Sequence, residues 1–401
     1  MDFPIYTRLI AALATKPFVI LTGNSGTGKT RLAELFVQWL SGAEKHRFAV
    51  VPVGADWTDN RNVLGFVNHL RTVKVKEGAE EIEVPIYQST RILDLLLEAS
   101  RKENETKPFF LILDEMNLSH VERYFADFLS TMESKDGGLL LHREGRALPR
   151  KSGSPADVQE TLPLPRNVFV IGTVNVDETT YMFSPKVLDR ANVLEFRVAK
   201  GAPGEFMKSG GKSIGDIAAA PAGYAEAFLE LSYRARGNNG VAPLTLVADP
   251  ENLPKDTKEK LDKCHTTVTE LFALMQERHQ EFAFRTMAEI HRFLAVDYEL
   301  TADKAQWNWK AAMDAQILQK ILPKLHGSKR KIGPLLAALA TYCEKGATVE
   351  ALKPLSNDTA ADAYAATGEK VCEDPVFKNS HRKLCEMIQS VRRDQFVSFI
   401  Q

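Results

Sequence analysis

The residues Gly23-Asn24-Ser25-Gly26-Thr27-Gly28-Lys29-Thr30 have the types and spacing to cradle the phosphates of a nucleotide. The pattern G-x-x-x-x-G-K-[ST] does so where a strand feeds the loop and a helix leaves it, and both are legible here. The apolar run Phe18-Val19-Ile20-Leu21 enters the loop, and Leu32, Leu35, Phe36, Trp39 and Leu40 recur at helical spacing after it. The loop therefore opens a helix, whose first N–H groups converge on an anion. Glycine at 23, 26 and 28 lets the backbone bend and approach where a side chain would block it. Lys29 supplies a point charge to the β- and γ-phosphates, the Thr30 hydroxyl supplies a ligand for Mg²⁺, and Arg31 ends the expected binding set. The alternative is a glycine-rich turn before an ordinary helix. Gly211-Lys212-Ser213 imitates the end of the motif but has Phe206 in place of its first glycine.

Two acids follow at the end of Phe109-Phe110-Leu111-Ile112-Leu113-Asp114-Glu115. A continuously apolar strand of this kind is buried on both faces and delivers its last residues to the carboxyl edge of a sheet. Asp114 would hold Mg²⁺, directly or through water, and Glu115 would orient and deprotonate an attacking water. Alternatively, the two acids cap a helix beginning near Leu118. The strand Val168 to Thr173 leads into Asn175, which either hydrogen-bonds the γ-phosphate or the water, or forms a turn. Ser184 to Ala191 reads as a short helix ending in Arg190, which is either structural or a charge offered to a neighbouring subunit's γ-phosphate.

The elements that must position these groups alternate apolar runs with helical patterns, which predicts a parallel sheet wrapped by helices. Expected strands are Phe18 to Leu21, Phe48 to Val53, Phe109 to Leu113, Val168 to Thr173 and Val193 to Phe196. Two insertions interrupt them. His69 to Gln88 reads as a β-hairpin turning at Glu77-Gly78-Ala79, and Asp136 to Arg166 holds a short strand, Leu139 to Leu141, and a polar loop. The expected organisation is an α/β nucleotide-binding core over residues 1–197, a linker or insertion over 198–224, and a helical region over 225–401. In the helical region Leu261, Cys264, Val268, Leu271, Phe272 and Met275 form a core-facing stripe without chemistry.

Of the 401 residues, 51 are basic and 52 acidic, for a formal charge of −1, so no global basic excess advertises nucleic-acid binding. The cluster Lys324, His326, Lys329, Arg330, Lys331 reads as a solvated helix end or a phosphate-backbone contact. No stretch approaches the ~18 apolar residues of a membrane span, and no leader pattern opens the chain, so a cytoplasmic location is expected. Cys264, Cys343, Cys372 and Cys385 lack C-x-x-C spacing and read as reduced thiols in helices.

Together, the loop, the acidic strand end, the Asn-tipped strand and Leu188-Asp189-Arg190 resemble the AAA+ ATPases, in family order across residues 17–197. The two insertions resemble the helix-2 insert and pre-sensor-1 hairpin of the branch containing MoxR, the dynein-like modules and McrB. Met116-Asn117-Leu118, Glu122-Arg123-Tyr124-Phe125 and Gly172-Thr173-Val174-Asn175 look most like McrB, the GTP-hydrolysing motor of modification-dependent restriction. That resemblance implies an AAA+ P-loop core with a five-stranded parallel sheet and a helical lid. It makes Asn175 sensor 1, Arg190 the arginine finger and Arg285, in Phe284-Arg285-Thr286-Met287-Ala288-Glu289-Ile290, the sensor-2 residue. It implies ATP or GTP with Mg²⁺, a hexameric homo-oligomeric ring, and a separate effector such as a McrC-like nuclease, through which any nucleic acid would be reached. Two departures favour ATP: Val174 replaces the McrB methionine, and Asp177-Glu178 shifts its closing acid. About 15 residues precede the first strand, so a DNA-reading domain like that ahead of the McrB motor is expected to be absent, placed elsewhere or outside this sequence. A MoxR-like protein-remodelling chaperone and a nucleotide-gated assembly scaffold are the alternatives.

Overall fold

The computed structural model describes residues 5–77, 80–134, 137–151, 156–176, 181–198, 201, 204, 207–208, 217–237, 253–367 and 374–400. Several sequence expectations lie outside that set: Gly78-Ala79, Asp177-Glu178, Phe206, Gly211-Lys212-Ser213, Cys372 and much of the 198–224 linker.

In chain order the strands are β1 (Phe18–Gly23), β2 (Phe48–Pro52), β3 (Phe66–Glu77), β4 (Glu80–Gln88), β5 (Phe109–Asp114), β6 (Gly138–Leu140) and β7 (Leu148–Pro149), then β8 (Ala156–Val158), β9 (Thr161–Pro163), β10 (Val168–Asn175), β11 (Asn192–Glu195), β12 (His326–Ser328) and β13 (Phe396–Ser398). Five of them make the central sheet, in the order β11-β1-β10-β5-β2. Strand β5 pairs in parallel with β10 on one side and β2 on the other. All of β1, and β5 and β10 up to their last residues, are buried. That burial is why these strands read as unbroken apolar runs rather than alternating ones. All five expected strands are present, each within two residues of its predicted bounds.

Contacts divide the chain into two compact units that interleave along it. One comprises Ile20–Arg190 and Phe196–Leu229, and the other Met1–Val19, Ala191–Glu195 and Glu230–Gln401. In the first, helix Lys29–Ser41 turns Ala33, Phe36, Val37 and Leu40 inward. Phe36 meets Phe110 edge-on at 5.8 Å between ring centroids, and Phe228 completes an aromatic cluster with Phe110 and Phe169. Such pairs add to the burial that presses the helix, and hence the loop before it, onto the sheet. The first insertion is the β3–β4 hairpin, with its register shifted between Asn68 and Thr72. The second holds more structure than a strand and a loop: β6 pairs with β9, and β7 with β8. Arg150 ties it down through bonds to Asp157 and Asp94.

The second unit is nearly all helix in its long C-terminal part, as the sequence predicts. Helix Lys255–Gln276 buries Leu261, Cys264, Leu271 and Met275 of the expected stripe. Helices Phe284–Leu300, Trp309–Gln316, Lys329–Lys345 and Lys378–Asp394 follow, with a π-helical segment at Ile317–Ile321. The antiparallel pair β12–β13 is unforeseen, because each strand is three residues long and its partner is remote in sequence. The basic cluster is not one solvated helix end. Lys324 is largely buried and donates to Thr286 Oγ1 at 2.8 Å, His326 lies in β12, and Lys329–Arg330–Lys331 begin a helix. Lys329 there pairs with Asp362 at 2.8 Å.

Candidate nucleotide site

The site assembles where β1, β5 and β10 of the central sheet reach their carboxyl ends. Gly28, at φ 91°, precedes helix Lys29–Ser41 in the left-handed region, where a side chain is strained. No side chain caps this helix, so its first N–H groups suit an external anion. At Gly23 the reason for glycine is contact, since a Cβ would lie 2.4 Å from the Phe196 carbonyl oxygen. Lys29 folds across its own loop, its Nζ donating to the Gly23 and Asn24 carbonyls at 2.8 and 2.7 Å. Burial lowers its pKa, while Asp114 and Glu115 act in the opposite sense. Thr27 closes the loop by donating from Oγ1 to Asn24 O at 2.8 Å, Ser25 and Gly26 are exposed, and Arg31 pairs with Glu34 at 3.6 Å.

Beside the loop, hydroxyls and amides connect the two acids. Thr30 Oγ1 and Thr173 Oγ1 each donate to Asp114 Oδ1 at 2.6 Å. The Glu115 N–H donates to Thr173 Oγ1 at 3.0 Å, and Asn175 Nδ2 donates to Glu115 Oε1 at 2.9 Å. Glu115 itself has φ 53°, one of three non-glycine residues with positive φ among those described. A carboxylate residue held in the left-handed region costs on the order of 1 kcal/mol, and such outliers concentrate at functional sites. Instead of capping a regular helix, the acids lead into a 3₁₀ turn, Met116–Leu118.

Lys29 and Thr30 of the loop, the acids Asp114 and Glu115, and Asn175, from three separate stretches of the sequence, are thus brought together. Two further residues, to which no motif assigns a role, join the site. Thr173 is the polar interruption of an apolar strand, one step beyond the Gly172↔Leu113 pair. Asn117, 3% exposed, donates from Nδ2 to Asn175 O at 3.0 Å, bracing the tip of β10. The oxygens of Thr30 and Asp114 form the kind of hard donor pair that Mg²⁺ accepts alongside phosphates. Among the described residues no group of three or more His, Cys, Asp and Glu could hold a metal.

Arg190 closes helix Pro185–Arg190, as expected, with its guanidinium engaged within its own unit. Nη2 meets Glu133 Oε2 at 2.6 Å, Nη1 donates to Lys186 O at 2.9 Å, and Nε donates to Leu129 O at 3.2 Å. Arg285 is the exposed second residue of helix Phe284–Leu300, in the other unit.

A family model described as a domain of unknown function (DUF8727) matches residues 245–396, under half of the chain. No curated protein matches. Among solved structures, a Cytophaga hutchinsonii protein described as a "putative ATPase" is similar at a TM-score of 0.46 and 12% identity, over 80% of this chain and 81% of that one. The α/β core and the helical region are evident in the chain's own sheet and helices.

Proposed function

We propose that the chain is a Mg²⁺-dependent nucleoside triphosphatase that works as a ring and powers or regulates a separate effector. The observation that carries this reading is the polar network joining Thr30, Asp114, Glu115 and Asn175 beside a phosphate-type loop. On binding, the phosphates exchange for the two loop carbonyls at Lys29 Nζ, giving the ammonium stronger, charge-assisted partners. The N–H groups at the start of helix Lys29–Ser41 take the remaining phosphate oxygens. Thr30 and Asp114 would hold a Mg²⁺ ion, whose charge would offset that of the phosphates. Glu115, aimed by the Asn175 amide, accepts the proton of the attacking water, and Asn175 keeps that water in line.

Arg190 completes the site of a neighbouring subunit, exchanging Glu133 for a γ-phosphate. A site shared head-to-tail makes a ring when the rotation between subunits closes, and a closed ring of six follows from the AAA+ resemblance. Arg285 is assigned the lid contact on the resemblance of its helix alone. The effector reading, a McrC-like nuclease in DNA restriction, rests on the McrB-like segments around Asn117 and Asn175. Val174 departs from that pattern and favours ATP, and it makes a MoxR-like remodelling motor the second reading. The test is hydrolysis of ATP and of GTP across a series of protein concentrations, with Glu115→Gln as blank. Turnover per subunit that rises with concentration is expected. Binding without turnover, in wild type as in the blank, would leave the scaffold alternative.

A further inference from the structure

Between Asp114 and Glu115 the chain changes direction, because Glu115 stands in the left-handed region. The two carboxylates consequently serve different neighbours, Asp114 the Thr30 hydroxyl and Glu115 the Asn175 amide. What fixes them against each other is one hydroxyl from the adjacent strand. Thr173 Oγ1 donates its proton to Asp114 Oδ1 at 2.6 Å and accepts the Glu115 N–H at 3.0 Å. A hydroxyl has one proton and two lone pairs, so the donor is committed and an acceptor position holds the strained peptide. Thr173 is 2% exposed, and Gly172 before it packs so closely on Met116 that a Cβ there would lie 2.6 Å from its sulfur. The hydroxyl therefore has little freedom to seek other partners.

We propose that Thr173 is the positioning residue that sets the two acids for their separate tasks, Asp114 for the ion beside Thr30 and Glu115 for the water. This inference rests on the triphosphatase reading above. Its hydroxyl is committed to Asp114 and to the Glu115 peptide, so its removal acts through the acids. Thr173→Val keeps the shape and deletes the hydroxyl, while Thr173→Ser keeps the hydroxyl and deletes the methyl.

Both variants and wild type are to be compared in turnover against Mg²⁺ concentration, and in nucleotide affinity with Mg²⁺ and with EDTA. The valine variant is expected to lose about tenfold or more in turnover, since small misplacements of catalytic groups are costly. It should need more Mg²⁺ for half-maximal rate and lose much of the affinity that Mg²⁺ adds, with affinity in EDTA unchanged. Serine should restore both properties. A valine variant with wild-type rate and Mg²⁺ dependence would overturn the proposal, as would a serine variant as impaired as valine. Should valine lower the melting temperature, Thr173→Ala takes its place, judged by the same serine rescue. If wild type binds nucleotide but does not turn over, the triphosphatase reading falls separately. The Mg²⁺-dependent affinity gain then decides for or against Thr173.

Discussion

Two polar networks in this chain are built on opposite terms. At the carboxyl ends of the strands, Thr30, Asp114, Thr173, Glu115 and Asn175 are joined by hydroxyls and amides, and both acids are only partly buried. In the helical unit, Glu289 is clasped between Lys16 and Lys320 at 2.5 Å each, and Lys320 has no exposed side-chain surface. Burial drives the Lys320 pKa well down, whereas the lysines beside Glu289 lower its pKa against the push of burial. Asp297, bonded to Trp307 Nε1 at 2.8 Å, is pushed up to about 6 by burial. Strongly perturbed groups are a common signature of active sites, yet here they mark interior ion pairs and hydrogen bonds. The lesson is that what separates the site from the scaffold is the choice of partners. Glu289 is clasped directly by cations of its own unit, while the acids of the site take their hydrogen bonds from hydroxyls and an amide, with the Lys29 ammonium bonded instead to loop carbonyls.

The largest effects should follow from breaking the open network. Glu115→Gln keeps the size and the Asn175 contact but removes the base, and should lower turnover by about 10²-fold or more with binding retained. Lys29→Ala should weaken nucleotide binding itself, because the loop loses its charge. Retention of tight binding by the alanine variant in titration calorimetry would sink the phosphate-loop assignment.

Breaking the closed network should register as stability. Glu289→Gln leaves Lys320 buried without its counter-ion, and removing one partner of a buried pair typically costs about 3–5 kcal/mol. Denaturant unfolding should show that loss, while the protein that remains folded binds nucleotide as wild type does. A drop in nucleotide affinity with unchanged stability would mean that the two networks do not divide the labour this way.

Much of the open network was legible because local sequence dictates it. The glycines, Lys29 and Thr30 are adjacent, and the acids and Asn175 end apolar strands that must run through a buried parallel sheet. Thr173 was hidden because its role depends on strand order: β10 lies between β1 and β5, which places its hydroxyl beside Asp114. The closed network could not be read at all. Lys16 and Glu289 are 273 residues apart, and nothing local marks either as buried. The same holds for Asp314, which accepts from the N–H groups of Asn379 and Ser380 and so caps a helix begun 64 residues later at Lys378. Long-range caps and ion pairs fix the helical unit, and they leave no periodic trace.

A smaller effect separates burial from pairing by pH. The pKa of Asp297 is raised in the fold, from the ordinary 3.8 to about 6, so the protonated carboxyl is the form that fits. Its favourable contribution is complete below the unfolded value and is lost as pH rises through about 6. Asp297→Asn can still accept from Trp307, and it should remove that decline between roughly pH 4 and 6, gaining about 1–3 kcal/mol over wild type at pH 7. Melting temperatures across this range would show wild type and variant diverging as pH rises. Parallel curves would mean that the carboxylate is tolerated in place.

The smallest effect belongs to the surface, where Asp362 meets Lys329 at 2.8 Å and Arg392 at 3.1 Å. Lys329, Arg330 and Lys331 open helix Lys329–Lys345, the end at which the helix dipole disfavours cations, and Asp362 offsets one of those charges. Hydrogen bonds from Lys329 and Arg392 hold its carboxyl below the usual range, so its contribution is present above about pH 4 and lost on acidification through the lowered folded value. Exposed pairs are worth about 0.2–1 kcal/mol and weaken with salt. With two such pairs, Asp362→Asn should cost no more than about 2 kcal/mol at pH 7 and low salt, with the difference shrinking as salt is raised. A loss as large and as salt-independent as that expected for Glu289→Gln would break the comparison, because solvent-screened and buried ion pairs would then be contributing alike.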